Sequence, residues 1–211
     1  MSAEEQTRRL LREHGRTFAA EAGVTLRDTP APLYQLLVLA MLCSTRIKAG
    51  IAVAAARELF RAGLRTPRAM ADAEWQDVVD ALGRAHYRRY DESSATALHA
   101  GAELVLERWH GDLRRLRAEA GGETSGIHRL LQEVPRIGPV GADIFCREAQ
   151  AVWPGLYPFF DRAAREQAAA EGLPKSAEEL GRLVRPADAA RLAAALVRVR
   201  LGADDSSSEA A

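Results

Sequence analysis

The chain has 211 residues, enough for one sizeable hydrophobic core or for two small lobes. Hydrophobic residues make up 47% of it, and no apolar run reaches the length of a membrane span, so the pattern is that of a globular chain and excludes a helical membrane protein. Formal net charge is zero, which excludes a strong global attraction to nucleic acid; any such affinity has to come from local placement of charge.

Taken in chain order, the N-terminus from Met1 to Gln6 is neither basic nor followed by an apolar stretch, so no signal peptide and a cytoplasmic location are expected. Thr29-Pro30-Ala31-Pro32 closes an N-terminal helix and opens a strongly apolar one, predicted from Leu33 to about Thr45. Thr66 followed by Pro67 is an N-cap with a proline in the first helical position. Asp91 opens a helix whose apolar stripe is Leu98, Ala102, Val105 and Trp109, and Trp109 on that stripe is predicted to be core. Gly121 to Gly126 is predicted to be a flexible loop. Ile127, Leu130, Leu131 and Val134 then repeat the helical spacing up to a glycine-broken turn, Val134-Pro135-Arg136-Ile137-Gly138-Pro139-Val140-Gly141-Ala142. Arg185-Pro186 precedes a last helix with Leu192, Leu196 and Val199 on one side, and the segment 202–211 is too polar to fold, so a disordered tail is expected. No period-two run or hairpin dipeptide signals a strand, and no repeat signals a solenoid. The fold is expected to be all-α.

The reactive side chains are few. Cys43 and Cys146 lie in apolar helical stretches, where cysteine behaves as a small hydrophobe, and histidines 14, 86, 99, 110 and 128 do not recur at ligand spacing, so no metal site is expected. Lysine occurs only at 48 and 175, which leaves almost no side-chain amine for Schiff-base chemistry.

Two features carry the functional reading. Gly138 and Gly141 let backbone N–H groups at a helix start approach a phosphate, although a tight helix–helix corner needs glycine as well. Asp161, directly before a helix, is a favoured N-cap; held there it stays ionised through the dipole, and a fixed negative charge also suits an oxocarbenium-like sugar. Both readings of each stay open on the residues alone. Arg84 to Tyr90 is the densest mixture of arginine and aromatic side chains, suited to phosphate and to stacking on a base, or to a surface loop with its tyrosines packed inward. Trp153 to Phe160 is either a pocket wall around an extruded base or a proline-stiffened connector.

The order of these parts resembles the helix-hairpin-helix DNA glycosylases typified by endonuclease III. That family's hairpin runs Leu-Pro-Gly-Val-Gly, with a lysine at the position of Val140, and its conserved aspartate opens a later helix as Asp161 does. The stretch from Pro32 to Arg46 is similar to the family's early apolar helix and the loop that enters DNA. Leu82 to Tyr90 is similar to its second inserting loop, and Leu104 to Gly111 to the helix and turn that follow; the likeness runs from about Leu33 to Leu201. It implies two helical lobes, one over 33–148 including the hairpin and one from 1–32 plus 149–201. It also implies a DNA repair glycosylase, a hydrolase with Asp161 as the catalytic residue, acting on double-stranded DNA with a lesion or mismatch. The DNA contacts it implies are Thr45, Arg46, His86, Tyr87, Arg88, Arg136, Gly138, Val140 and Gly141. The sequence departs from the family where Arg136 replaces the first hairpin glycine and Val140 replaces the lysine nucleophile, so a monofunctional enzyme without lyase activity is expected. The chain ends where the family's four-cysteine cluster begins, so no iron–sulfur cluster and no other cofactor are expected, and a monomer is. A DNA-structure binder of the same fold that has lost its chemistry is the alternative.

Overall fold

A computed structural model describes residues Ser2 to Glu209, with side chains as far as Gly202. Every regular element among the described residues is helical, and the chain groups into two compact units. One runs from Ala19 to Phe145. The other combines the N-terminal segment up to Phe18 with the chain from Cys146 onward.

In the Ala19 to Phe145 unit the central element is the helix Pro30–Cys43, which begins three residues earlier and ends two earlier than the apolar run suggests. It is apolar on all sides, and Leu33, Leu36, Leu37, Leu39 and Leu42 are all buried. A helix of that kind has to be surrounded, and each such leucine contributes about 1.5–3 kcal/mol of burial. It packs on Ala49–Arg61, which packs on Trp75–Arg84, which in turn packs on Asp91–Trp109. The Thr66 hydroxyl caps Pro67–Ala71 by accepting from the Ala69 N–H, as the Thr-Pro pair predicts. Leu98, Ala102, Val105 and Trp109 are buried along one stripe, and the Trp109 indole N–H donates to Glu119 at 2.8 Å, which satisfies the polar end of a core side chain.

Two expectations change here. The loop predicted over 121–126 is shorter, because the helix Thr124–Leu131 already includes Thr124, Ser125 and Gly126. A Cβ on Gly126 would stand 3.0 Å from the Ala120 carbonyl oxygen, so this glycine permits a close approach rather than flexibility. Residues 19–32, assigned by resemblance to the other lobe, group with this unit. Val24 is buried in it, Arg57 donates to the Glu21 carbonyl, and Arg117 pairs with Asp28 at 3.1 Å.

In the other unit the helix Ala3–His14 opens with a reciprocal capping box between Ser2 and Glu5. It packs on the final helix, Ala189–Glu209, which also packs on Arg162–Ala170. Leu192 and Leu196 are buried and Val199 half-buried. The backbone expected to be a structureless tail from Gly202 continues this helix to Glu209; extending a helix that is already nucleated adds a hydrogen bond per residue fixed, a lower barrier than starting one. The last two residues of that tail lie outside the described part. In the connector, Trp153, Leu156 and Phe160 are buried and the Tyr157 hydroxyl donates to the Gly181 carbonyl at 3.0 Å, which favours the packed reading of that segment. Cys146 is buried, Cys43 half-buried, and neither forms a disulfide. Among the described residues no helix is long and apolar enough to cross a membrane, and no cluster of three or more histidine, cysteine or carboxylate side chains is arranged for a metal ion.

Candidate functional site

In the Ala19 to Phe145 unit three segments that are far apart in sequence meet near the start of the Asp91–Trp109 helix. The first is the end of the apolar helix, where the Ser44 and Thr45 hydroxyls donate back to the Met41 and Leu42 carbonyls, both at 2.8 Å. The second is the loop after Trp75–Arg84. Its Tyr87 hydroxyl lies 2.9 Å from Thr45 Oγ1 and 3.3 Å from Ser94 Oγ, so one phenol ties both loops to the helix. The third is the hairpin, whose Arg136 donates from Nη1 to Ser93 Oγ at 2.6 Å. Tyr87 was expected among the DNA contacts and is instead wholly buried; its ring fills core and its hydroxyl is used up inside the protein. Its neighbours His86, Arg88 and Arg89 are exposed, as is Arg46 on the first loop. Tyr90 is flanked by two guanidinium groups, with Arg89 at 5.3 Å and Arg136 at 5.8 Å from its ring centre.

The hairpin glycines divide by role. Gly141 is buried, and a Cβ there would meet Ile137 at 3.3 Å and Ser44 at 3.5 Å, so it serves the corner itself. Gly138 has neither constraint: a Cβ would meet nothing within 4 Å, and its φ is not left-handed. Among the described residues nothing requires glycine at 138. The left-handed residue of the turn is Arg136, at φ 62°, where a non-glycine costs about 1 kcal/mol. Val140 follows on the first turn of Pro139–Ala149 and is 60% exposed. His128 and Asp143 close the motif from behind: the Gln132 amide donates to His128 Nδ1, which leaves the proton on Nε2 to donate to Asp143 at 3.0 Å.

Charge is spent unevenly. Arg108 pairs with Glu119 and Glu133, Arg114 with Asp112, and Arg162 and Arg200 with Glu166. The Arg114 hydrogen bond holds the Asp112 carboxyl below the usual carboxylate range, and the Arg108 hydrogen bond does the same for Glu119. By contrast Arg46, Arg88, Arg89 and Arg136 form no ion pair among the described residues; Arg136 meets a neutral hydroxyl and a ring. In a chain of zero net charge, the loops around the hairpin are one of the places where positive charge is left without a carboxylate partner.

Asp161 belongs to the other unit. Its Oδ1 accepts from the Ala164 N–H at 2.8 Å, capping Arg162–Ala170, and its Oδ2 forms an ion pair with Arg147. Both side chains are buried, at 5% exposure each. The backbone leading to Asp161 is clamped by Gln150, which accepts from the Phe159 N–H at 3.0 Å and donates to the Phe159 carbonyl at 2.7 Å. Arg147 is less fully engaged: its guanidinium lies 5.6 Å from the Phe18 ring, and its Nε–H has no hydrogen-bond partner among the described residues although it is buried. A carboxylate has roughly four lone-pair positions, so Asp161 keeps acceptor capacity beyond these two bonds.

Sequence reasoning missed Arg147, Gln150, Ser93 and Ser94. Polar residues at 147, 148 and 150 beside Phe145 and Cys146 were a legible sign of buried polarity, but nothing in the spacing paired Arg147 with Asp161. No protein-family model matches the sequence, and no curated protein does. A solved structure of endonuclease III, trapped as a covalent intermediate with DNA in an estranged-adenine complex, does match in shape. The TM-score is 0.50 over 93% of this chain and 85% of that one, at 15% sequence identity. The chain has the endonuclease III fold. The resemblance drawn from the hairpin and the order of segments is therefore a likeness of the all-helical architecture as a whole. Within this endonuclease III-like fold, Thr45, Arg46, His86, Arg88, Arg136, Gly138 and Val140 share one neighbourhood, Tyr87 and Gly141 support it from inside, and Asp161 is a buried, ion-paired helix cap.

Proposed function

We propose that this endonuclease III-like protein is a DNA glycosylase of base-excision repair, acting on duplex DNA at a damaged or mismatched base and leaving the strand uncut. The observation that carries the reading is the meeting of three loops whose arginines lack carboxylate partners, beside a glycine, Gly138, that nothing among the described residues requires. Arg46, Arg88 and Arg136 supply charge to phosphates, and the N–H groups after Gly138 supply donors at a helix start. Such contacts position the duplex without reading its sequence.

Asp161 supplies the chemistry. As the N-glycosidic bond breaks, its electron pair leaves with the base, which takes up a proton from solvent, and a nearby carboxylate stabilises the positive charge that develops on the sugar; water then bonds to the anomeric carbon and gives a proton to the carboxylate. Val140 has no amine, so the sugar forms no imine with the hairpin and strand elimination by that route is absent. The protein works as a monomer in the cytoplasm, without a resident cofactor. Base release from a panel of lesion-bearing duplexes is expected for the wild type and not for Asp161→Asn. Equal release by the two, or none on any lesion, removes the catalytic claim.

The Arg147 ion pair favours a second reading, a protein of this fold that binds distorted DNA without chemistry, because a buried and neutralised carboxylate offers less field to a cationic sugar. Tight, salt-dependent binding to nicked or abasic duplexes with no base release from any lesion is its expected signature.

A further inference from the structure

We infer that Arg147 is a positioning residue that exchanges partners, pairing with Asp161 in the free protein and with a DNA phosphate in the complex, so that substrate binding is what uncovers the carboxylate. The inference rests on the DNA-binding reading above and deepens it.

The argument starts from which of the two partners is free to move. Asp161 is fixed twice, by its cap bond to the Ala164 N–H and by the Gln150 clamp on the Phe159 backbone two residues further back. Arg147 is held by the ion pair and by the face of Phe18, on a long side chain with several rotatable bonds. If the pair opens, the guanidinium leaves and the carboxylate stays. The closed state is also not the best that Arg147 can do. A guanidinium carries five N–H donors in a planar fork suited to two-point recognition of carboxylate or phosphate, and here its buried Nε–H has no acceptor among the described residues. A buried donor left unmade is a penalty that a better acceptor relieves. A phosphodiester is such an acceptor: anionic, with two oxygens at the spacing of the fork.

Exchange has a thermodynamic signature that a purely structural ion pair lacks. If DNA and Asp161 compete for the same guanidinium, removing the carboxylate's charge strengthens DNA binding, and it does so through Arg147 alone. General relief of repulsion between Asp161 and DNA also predicts tighter binding for a neutral residue at 161, but independently of residue 147.

The experiment measures binding of the full chain to a duplex carrying a tetrahydrofuran abasic analogue, which has no base to release, so affinity is read apart from catalysis. Four proteins are compared across a salt series: wild type, Asp161→Asn, Arg147→Gln and the double variant. Asp161→Asn is expected to bind more tightly, by on the order of tenfold. Arg147→Gln is expected to bind more weakly, with a salt slope flatter by about one, the contribution of one phosphate contact. The double variant is expected to match Arg147→Gln. A gain from Asp161→Asn that persists in the Arg147→Gln background overturns the exchange, as does an Arg147→Gln protein with unchanged affinity and slope. If Arg147→Gln fails to fold, Arg147→Lys keeps the cation, and with Asp161→Asn added the gain is expected to remain; its absence overturns the exchange. Failure of the glycosylase reading looks different, since base release from lesion duplexes is then missing while the binding cycle still holds. Absence of binding by all four proteins overturns both.

Discussion

Replacing Asp161 by asparagine separates the cap from the charge. Asparagine caps a helix about as well as aspartate, so the bond from the Ala164 N–H survives and the Arg162–Ala170 helix keeps its start. What is lost is the partner of Arg147, a guanidinium whose side chain is 5% exposed and which then sits buried with a net charge. Breaking a buried pair in this way costs about 3–5 kcal/mol, most of it the desolvation of the charge left behind. With a urea m-value of about 2 kcal/mol/M, the midpoint for the affected unit moves down by about 2 M. Arg147→Met is expected to cost a similar amount, since it strands the carboxylate. The double variant, which removes both charges and keeps the cap, recovers a large part of the loss, giving a coupling energy of about 2 kcal/mol or more. Equilibrium urea unfolding of the four proteins reads all of this. A cost below about 1 kcal/mol for Asp161→Asn, or single effects that simply add in the double variant, refutes the reasoning that the pair is a coupled, buried unit.

Other expectations follow from the hairpin and the ion pairs. Gly138→Ala has room for its methyl group and no left-handed φ to strain, so its stability stays within about 0.5 kcal/mol of wild type or rises slightly, while affinity for abasic duplex falls; unfolding and binding measured together check this. Arg136→Gly relieves the left-handed strain but gives up the Ser93 hydrogen bond, leaving stability within about 1 kcal/mol and the salt slope of DNA binding flatter by about one. Val140→Lys places an amine at an exposed site on the hairpin, and borohydride reduction in the presence of abasic duplex is expected to trap a covalent adduct with the variant and none with the wild type. The carboxyls of Asp112, Glu119 and Asp188 are held low by hydrogen bonds from Arg114, Arg108 and Arg185, respectively. Because their folded values lie below the unfolded ones, their contribution is complete above about pH 5 and is lost as pH falls below about 4. Urea midpoints measured from pH 7 to 2.5 should be level and then fall; a decline already complete above pH 5 contradicts the assignment.

The helical architecture was legible because its signals are local. Thr66-Pro67 and the stripe from Leu98 to Trp109 state their structure in adjacent or regularly spaced residues. The same locality misled at Gly121 to Gly126, where composition suggested a loop but the last three residues belong to the helix Thr124–Leu131, with Gly126 packed closely on Ala120. The candidate site was legible by position but not by direction. On the residues alone the loop from Arg84 to Tyr90 could turn its tyrosines outward or inward, and the resemblance put Tyr87 among the DNA contacts; Tyr87 turns inward while its neighbours turn out, a choice made by Thr45 and Ser94, which lie outside the loop. Asp161 could be read as a cap from the residues that follow it. Its ionic partner lies 14 positions earlier, beyond any helical period, and only folding brings the two together.

The unpaired arginines around the hairpin have a practical corollary for handling the protein. Because its formal charge is zero, the chain should pass an ordinary ion exchanger near pH 7 with little retention of either sign. A matrix that presents closely spaced phosphates or sulfates at the scale of a single patch sees a different molecule, one with Arg46, Arg88 and Arg89 on loops tied by the Tyr87 hydroxyl and Arg136 tied to Ser93 beside them. Retention on heparin or phosphocellulose, against flow-through on a sulfopropyl column of equal charge capacity, would make the chromatographic profile a direct reading of how the protein distributes its charge.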